Sequence, residues 1–202
     1  MMKKFCFITI SIFIFYSCSN NGKQLNPSQE STATKTDSFF PVTSFIKGQM
    51  ITLDSLPITP LQLTTIREKT DSAWISKDNL SEFYTPFLTP VIDETNLSEY
   101  FKESSFSDQT LNAVTFTYDP IGNLPDSISL RHWDVYIHPE TGNVIKVYIV
   151  KEIKVGGQMI TQQLTWQSNK MAKISTILNK PGGSMSLEKE VVLIWDFSGV
   201  TR

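Results

Sequence analysis

The chain contains two histidines, and both lie in the segment RHWDVYIH at 131–138. If this segment is a β-strand, alternate side chains share a face, so His132, Asp134, Tyr136 and His138 project on one side. A histidine and a carboxylate two residues apart can bind a metal ion together, and imidazole suits zinc or copper. His132 and His138 are about 20 Å apart along a strand, so only two ligands converge. The competing interpretation is a polar outer face of the sheet.

The same face also has aromatic and apolar character. The pairing predicted below places Tyr148 across from Asp134, with Val144 and Val150 on the same side. An exposed patch of this kind can bind a glycan, a lipid or a partner protein. Alternatively, the polar segment before the domain or residues 43–70 cover it. The candidate surface-binding residues are therefore His132, Asp134, Tyr136 and Tyr148.

Other segments that could do chemistry are turns or loops. The Gly-rich segment KPGGSMS at 180–186 lacks the Lys-Ser/Thr ending of a phosphate-binding loop. The acids of DPIGNLPDS at 119–127 could attract calcium, but Asp beside Pro and Gly is typical of turns. There is no G-x-S-x-G motif, and neither histidine lies in a recognisable catalytic context. No catalytic residue, cofactor or metal ligand is predicted.

Three turns predict the sheet that positions these residues. PETGN at 139–143 suits a three-residue hairpin loop with Gly142 at positive φ, Gly156 and Gly157 suit a two-residue primed turn, and the chain can turn again at 168–170. All three turns place apolar residues on one face, whereas a one-residue slip would move a strand's set to the other face. The predicted pairs are Ile137–Ile145, Val135–Val147, Trp133–Ile149, Ile153–Ile160, Ile149–Leu164, Val147–Trp166, Trp166–Ala172, Leu164–Ile174 and Ile160–Leu178.

Flanking segments complete an α+β fold. Alternating patterns at 61–68, 111–118 and 189–197 predict further strands, the last two at or near the edges. Apolar spacing predicts helices around 46–53 and 76–88, and a capping-box pattern predicts another at 96–101. We expect a curved antiparallel meander sheet of five to seven strands, with two or three helices packed on one face.

The first residues have the order of a secretory signal peptide. Lys3 and Lys4 precede an apolar run at 5–16, and Ser17 lies directly before Cys18. The run is too short for a transmembrane helix, since crossing a bilayer takes roughly 20 residues. Cys6 lies inside this segment and is lost with it, so Cys18 has no disulfide partner in the mature chain.

The stretch FYSC and its flanks resemble a bacterial lipoprotein precursor, although the family pattern usually has Leu and a small residue where this chain has Phe15 and Tyr16. The resemblance implies cleavage by signal peptidase II and acylation of Cys18, for example by palmitate. It places the protein in the cell envelope, lipid-anchored, at the outer membrane of a Gram-negative bacterium. The alternative is a secreted protein in which Cys18 has no role. The predicted organisation is a signal peptide at 1–17, a lipidated cysteine and flexible tether at 18–40, and a single domain at 41–202.

The mature chain is acidic. Removing residues 1–17 takes away two lysines and no acid, which leaves 16 basic and 20 acidic residues and a formal charge of −4. This charge disfavours nucleic acid as a partner, because binding to phosphates needs a surplus of Lys and Arg. We expect a non-enzymatic, membrane-anchored lipoprotein that binds or supports another envelope component.

Two other functions remain open. The runner-up is a carrier of a hydrophobic ligand such as a lipid, and the third candidate is a hydrolase with an unfamiliar site. A pocket lined by aromatic residues would favour the carrier, whereas a filled core would leave surface binding. The residues in question are Trp133, Trp166, Trp195, Phe83 and Phe87.

Overall fold

The structure is a computed structural model that describes residues 38–180 and 182–198. These residues form one nine-stranded antiparallel sheet, two α-helices and one 3-10 turn at Lys77–Asn79. The predicted signal peptide, Cys18 and the tether up to residue 37 lie outside the described residues. The helices and strands are α1 (Val42–Ser55), β1 (Leu61–Ile66), β2 (Lys69–Trp74), α2 (Ser81–Leu88), β3 (Phe101–Asp108), β4 (Ala113–Pro120), β5 (Leu130–Ile137), β6 (Val144–Val155), β7 (Gln158–Gln167), β8 (Met171–Asn179) and β9 (Met185–Ile194).

The strand order in the sheet is β2-β1-β9-β8-β7-β6-β5-β4-β3, so β3 to β9 form a continuous meander and the β1–β2 hairpin pairs with β9. The predicted turn chemistry is confirmed: Gly142, Gly156 and Gly157 have φ of 69°, 56° and 85°. Asn169 supplies the positive φ, 58°, of the β7–β8 turn. Positive φ favours glycine and, less strongly, asparagine, which explains why these residues occupy the turns.

The predicted register is confirmed at all pairs but one. Val135 faces Val147, Ile149 faces Leu164 and Leu164 faces Ile174. At the β5–β6 turn a bulge places Ile137 opposite Val144, one residue from the predicted Ile145. A bulge inserts an extra residue into one strand, so turn chemistry alone does not give the pairing beyond it.

The sheet is larger than the predicted five to seven strands, because β2 and β3 are strands that the sequence analysis missed. Both are edge strands, and every residue of β2 is exposed. A strand without a buried face needs no alternation of apolar residues, so it lacks the signal that identifies a strand. The segments expected at or near an edge, β4 and β9, each pair with a strand on both sides.

The helices at 46–53 and 76–88 are confirmed as α1 and as the 3-10 turn followed by α2. The helix at 96–101 is wrong: these residues form a turn that leads into β3. The carboxylate of Asp93 accepts the N–H groups of Thr95 and Asn96, which fixes this turn, and Phe101 then pairs with Pro120. Strand pairing thus overrides the local capping signal.

Both helices contribute to a core on one face of the sheet. Ile46, Met50 and Leu53 of α1 are buried there, and Phe87 of α2 contacts Trp166 with ring centroids 5.3 Å apart. Among the described residues, packing begins at Phe39, whose ring contacts those of Tyr118 and Trp133. Neither helix in the described ranges has the length and apolar character that crossing a bilayer requires.

Two lysines fix the position of α2. Before the helix, the Nζ of Lys77 donates to the carbonyls of Asp54 and Leu56 at the end of α1, at 2.7 and 2.6 Å. At its other end, the buried Nζ of Lys151 donates to the carbonyls of Pro86 and Thr89 at 2.5 and 2.8 Å. Lysine suits this position because the last carbonyls of a helix lack partners within it.

Candidate functional site

The four predicted surface residues lie together on the face opposite the helices. Strand β5 supplies His132, Asp134 and Tyr136, and β6 places Tyr148 across from Asp134. His132 Nε2 lies 3.1 Å from the carboxylate of Asp134, and the Tyr136 hydroxyl donates to that carboxylate at 3.3 Å. The rings of His132 and Tyr148 are 6.3 Å apart. His138 is not part of this group, since it lies in the β5–β6 turn and contacts the N–H of Glu140.

Strand β4 adds two members that the sequence analysis missed. Asp119 lies 2.8 Å from His132 Nδ1, and the hydroxyl of Thr117 donates to Asp134 at 2.7 Å. The sequence predicts a turn from Asp119 onward, but β4 continues to Pro120. The register of β4 against β5 would have identified the contact between Thr117 and Asp134, because these two residues face each other. We call these six residues the His132 cluster.

The electrostatics of the His132 cluster favour a charged imidazole. The hydrogen bond with Asp134 raises the pKa of His132 to about 8, with a further contribution from Asp119 and against the effect of burial. Burial alone would raise the pKa of Asp134, but hydrogen bonds from His132 and Thr117 hold it below its usual value. Burial and the nearby Asp134 carboxylate raise the pKa of Tyr136 to about 12.

These contacts limit what the cluster can do chemically. Both ring nitrogens of His132 are occupied by carboxylates, and a protonated imidazole is neither a metal ligand nor a proton acceptor. Within the described ranges, no three His, Cys, Asp or Glu side chains form a group that could hold a metal ion. The Nζ of Lys146 lies 3.7 Å from the centre of the Tyr136 ring and covers that face. The cluster is thus a network whose groups bind mainly to one another.

A second site lies on the opposite face, between α2 and the sheet. It is a groove of about 350 Å³, which we call the α2 groove. Its apolar lining comes from α2, β8 and β9. Its polar lining comes from β1, β7, β8, β9, the 3-10 turn and the start of α2. The lining residues are Phe83, Pro86, Ile174 and Val191, with Gln62, Asn79, Glu82, Gln162, Thr176 and Lys189.

The polar side chains of the α2 groove differ from those of the His132 cluster because most lack protein partners. Gln62 donates to Thr64 at 3.3 Å. The other five make no side-chain hydrogen bond or ion pair with any described residue. They are Asn79, Glu82, Gln162, Thr176 and Lys189. The groove therefore presents donors and acceptors that are available to a ligand.

Part of this groove could have been found from the sequence. The confirmed pairing of Ile160 with Leu178 and of Leu164 with Ile174 places Gln162 and Thr176 between them, on the apolar face. Polar residues are uncommon at positions that face the core, so their presence there indicates a site that differs from ordinary core packing. The residues from α2 had no such signal, because their position depends on how the helix docks.

Comparison with protein-family models, with curated proteins and with solved structures found no match to this chain.

Proposed function

We propose that the chain is a non-enzymatic cell-envelope lipoprotein, held at a membrane by acyl groups on Cys18, and that its domain binds a short envelope glycan in the α2 groove. The observation that carries the binding proposal is the set of five groove side chains without protein partners. Asn79, Glu82 and Lys189 are exposed to water, whereas Gln162 and Thr176 are half-buried on the apolar face of the sheet. Half-buried polar groups without protein partners are costly unless water or a ligand satisfies them, and a ligand in the groove would lie within reach of both sets.

The chemistry of the lining favours a glycan. The amides of Asn79 and Gln162 and the hydroxyl of Thr176 can each donate and accept, as sugar hydroxyls do. The half-buried side chains of Pro86 and Val191 offer an apolar surface to the C–H face of a sugar ring. The volume, about 350 Å³, lies at the lower end of the range for small-ligand pockets. A short glycan therefore fits better than a long one.

The packing of the aromatic residues supports surface binding over carriage of a lipid. Trp166 contacts Phe87 at 5.3 Å and Trp195 at 5.4 Å between ring centroids, and Phe83 contacts Phe87 at 5.8 Å. Trp133 stacks on Tyr118 at 4.6 Å. These side chains fill the core with one another, and a lipid chain would have to displace them.

Binding can be tested with the detergent-solubilised mature protein and a panel of short envelope glycans, measured by titration calorimetry. Replacing Gln162 by Ala removes one hydrogen-bonding group and should weaken binding about fivefold to tenfold. Gln163→Ala is the matched control, because Gln163 is the next residue of β7 and lies on the other face. If no glycan binds, or if both variants weaken binding equally, the groove is not a glycan site. Lipid that consistently co-purifies in native mass spectrometry would favour the carrier instead.

The anchor is tested separately. Intact-mass analysis of protein extracted from its native cells should show the mass of acyl groups on a chain that begins at Cys18. Replacing Cys18 by Ser should release the protein from the membrane fraction, because the acyl chains are then absent. Their buried methylenes, at about 0.8 kcal/mol each, are what makes the anchoring stable. A mature chain without acyl mass would reject lipidation but would leave the glycan proposal intact.

A further inference from the structure

Four strands of the sheet extend beyond their neighbours at one end. Strand β5 begins at Leu130, opposite Lys151, and β1 ends at Ile66, opposite Lys189. Beyond these points β6 to β9 continue for about four residues, or roughly 13 Å. The extension contains residues 152–161, 177–180 and 182–188, and we call it the β6–β9 projection.

The projection carries apolar side chains that do not belong to the core. Met159 is 40% exposed, Met185 70% and Leu187 44%, all on the face opposite the helices, and Val155 next to the β6–β7 turn is 54% exposed. Further apolar residues are partly buried, but none is among the side chains packed against the core. These are Ile153, Ile160, Ile177 and Leu178. Since both faces of the projection carry apolar side chains, its end is suited to leaving water.

The charges of the projection are arranged by sign. Lys154 and Lys180 lie near its end and are exposed. Its acids, Glu152 and Glu188, lie at its base, and Glu152 forms an ion pair with Arg131 at 2.8 Å. The described part of the end is therefore cationic, although the whole chain has a formal charge of −2.

A small cleft lies between the two hairpin turns of the projection. Its volume is about 280 Å³, and its lining includes Met159, Leu178 and Lys180. The cleft thus combines apolar side chains with one ammonium group. A phospholipid offers the complementary groups, because its phosphate is negatively charged and the first part of its acyl chain is apolar.

We propose that the β6–β9 projection inserts its apolar end into the interfacial region of an anionic lipid bilayer. Apolar elements that lie in this region are buried by about 5 to 10 Å, which is within the length of the projection. Lys154 and Lys180 then meet anionic headgroups, and each lysine near such a surface favours binding by about fivefold. A second copy docked end to end would instead bring lysines against lysines. The proposal depends neither on glycan binding nor on acylation of Cys18.

The test uses the mature chain with Cys18→Ser, so that no acyl group contributes, and flotation with phosphatidylcholine vesicles that contain or lack phosphatidylglycerol. The protein should float with the anionic vesicles and much less with the neutral ones. Met159→Ser combined with Met185→Ser should lower the partition coefficient at least about tenfold. Lys154→Ala combined with Lys180→Ala should lower it by about fivefold per lysine, with anionic vesicles only.

Trp74→Ser is the matched control, because Trp74 is 64% exposed and lies at the other end of the sheet, where β2 ends. It should leave partition unchanged. The proposal is overturned if the Cys18→Ser chain does not float, or if Trp74→Ser lowers partition as much as the methionine pair. It is also overturned if the chain is a dimer in solution that the methionine pair dissociates, since a second copy then occupies the projection. The variant with both lysines replaced retains every apolar residue of the projection. A loss of partition in this variant therefore reports the loss of charge and not a change in folding.

Discussion

The ion pairs around His132 make the stability of the protein depend on pH. The pKa of His132 is about 8 in the folded protein, against about 6.5 in an unfolded chain. Because the folded pKa is the higher one, the contribution to stability is fully present below about pH 6.5 and is lost as the pH rises through about 8. The full contribution is about 2 kcal/mol, since each pKa unit is worth about 1.4 kcal/mol.

The contribution of His132 is best measured between about pH 5.5 and about pH 7.5. Over this range, proton linkage predicts that the free energy of unfolding falls by about 1.2 kcal/mol because of His132. Above this range a second group titrates, because burial lowers the pKa of Lys151 to about 8. A lysine whose folded pKa is lowered adds stability as the pH rises through that value, which opposes the effect of His132. Below about pH 7.5 the contribution of Lys151 is nearly constant.

The perturbation is His132→Gln, which keeps a polar group but cannot titrate. Urea unfolding, followed by tryptophan fluorescence at both pH values, gives the free energy of unfolding for wild type and variant. The wild type should exceed the variant by about 1.2 kcal/mol more at the lower pH than at the higher one. His138→Gln is the control, because the His138 side chain makes no contact with a carboxylate in the described residues. A difference between wild type and His132→Gln that does not change with pH would refute the reasoning.

Other substitutions test the packing, the turns and the position of α2. Trp166→Ala should lower the free energy of unfolding by about 3 to 5 kcal/mol, because Trp166 is fully buried. Trp74→Ala should lower it by no more than about 1.5 kcal/mol, because Trp74 is exposed and its ring contacts that of Phe197 at 5.7 Å. Gly48→Ala should stabilise α1 by about 0.5 to 1 kcal/mol, since an added Cβ meets no atom there, whereas Gly157→Ala should destabilise by a similar amount because its φ is 85°. Lys151→Ala should lower the free energy of unfolding by about 2 to 4 kcal/mol, since it leaves the carbonyls of Pro86 in α2 and of Thr89 just after it without their donor. Urea unfolding of each variant against wild type measures these values.

The meander could be predicted because two independent signals agree. Turn residues such as Gly142 and Gly157 fix loop length and the sign of φ, and apolar alternation fixes which face is buried. Each hairpin was therefore determined twice, and the register was confirmed except at the bulge before Ile137. The edge strands β2 and β3 offered neither signal, because both of their faces are largely exposed.

The two sites differ in how far the sequence could predict them. His132, Asp134 and Tyr136 come from one strand, so side-chain alternation was enough to place them on one face. Placing Asp119 beside His132 requires the register of β4 against β5. The two strands are joined by residues 121–129, and no turn rule specifies the register across such a long connection. The α2 groove needed still more, because it depends on how α2 docks, and Lys151 holds the helix through contacts 62 and 65 residues away in the chain.

The α2 groove and the β6–β9 projection share one structural cause, which is that β6 to β9 are longer than their neighbours. Gln162, Thr176 and Lys189 are cross-strand neighbours in one row, which lines the groove and also marks the base of the projection. On one side of this row, α2 covers the apolar face of the sheet. On the other side, none of the apolar side chains of the projection belongs to the core. A projection that rests in a bilayer would hold the groove about 13 Å from its inserted end, within reach of sugars carried on lipid headgroups. The two proposals are nevertheless independent, since Gln162→Ala changes the groove alone and the methionine pair changes the end of the projection alone.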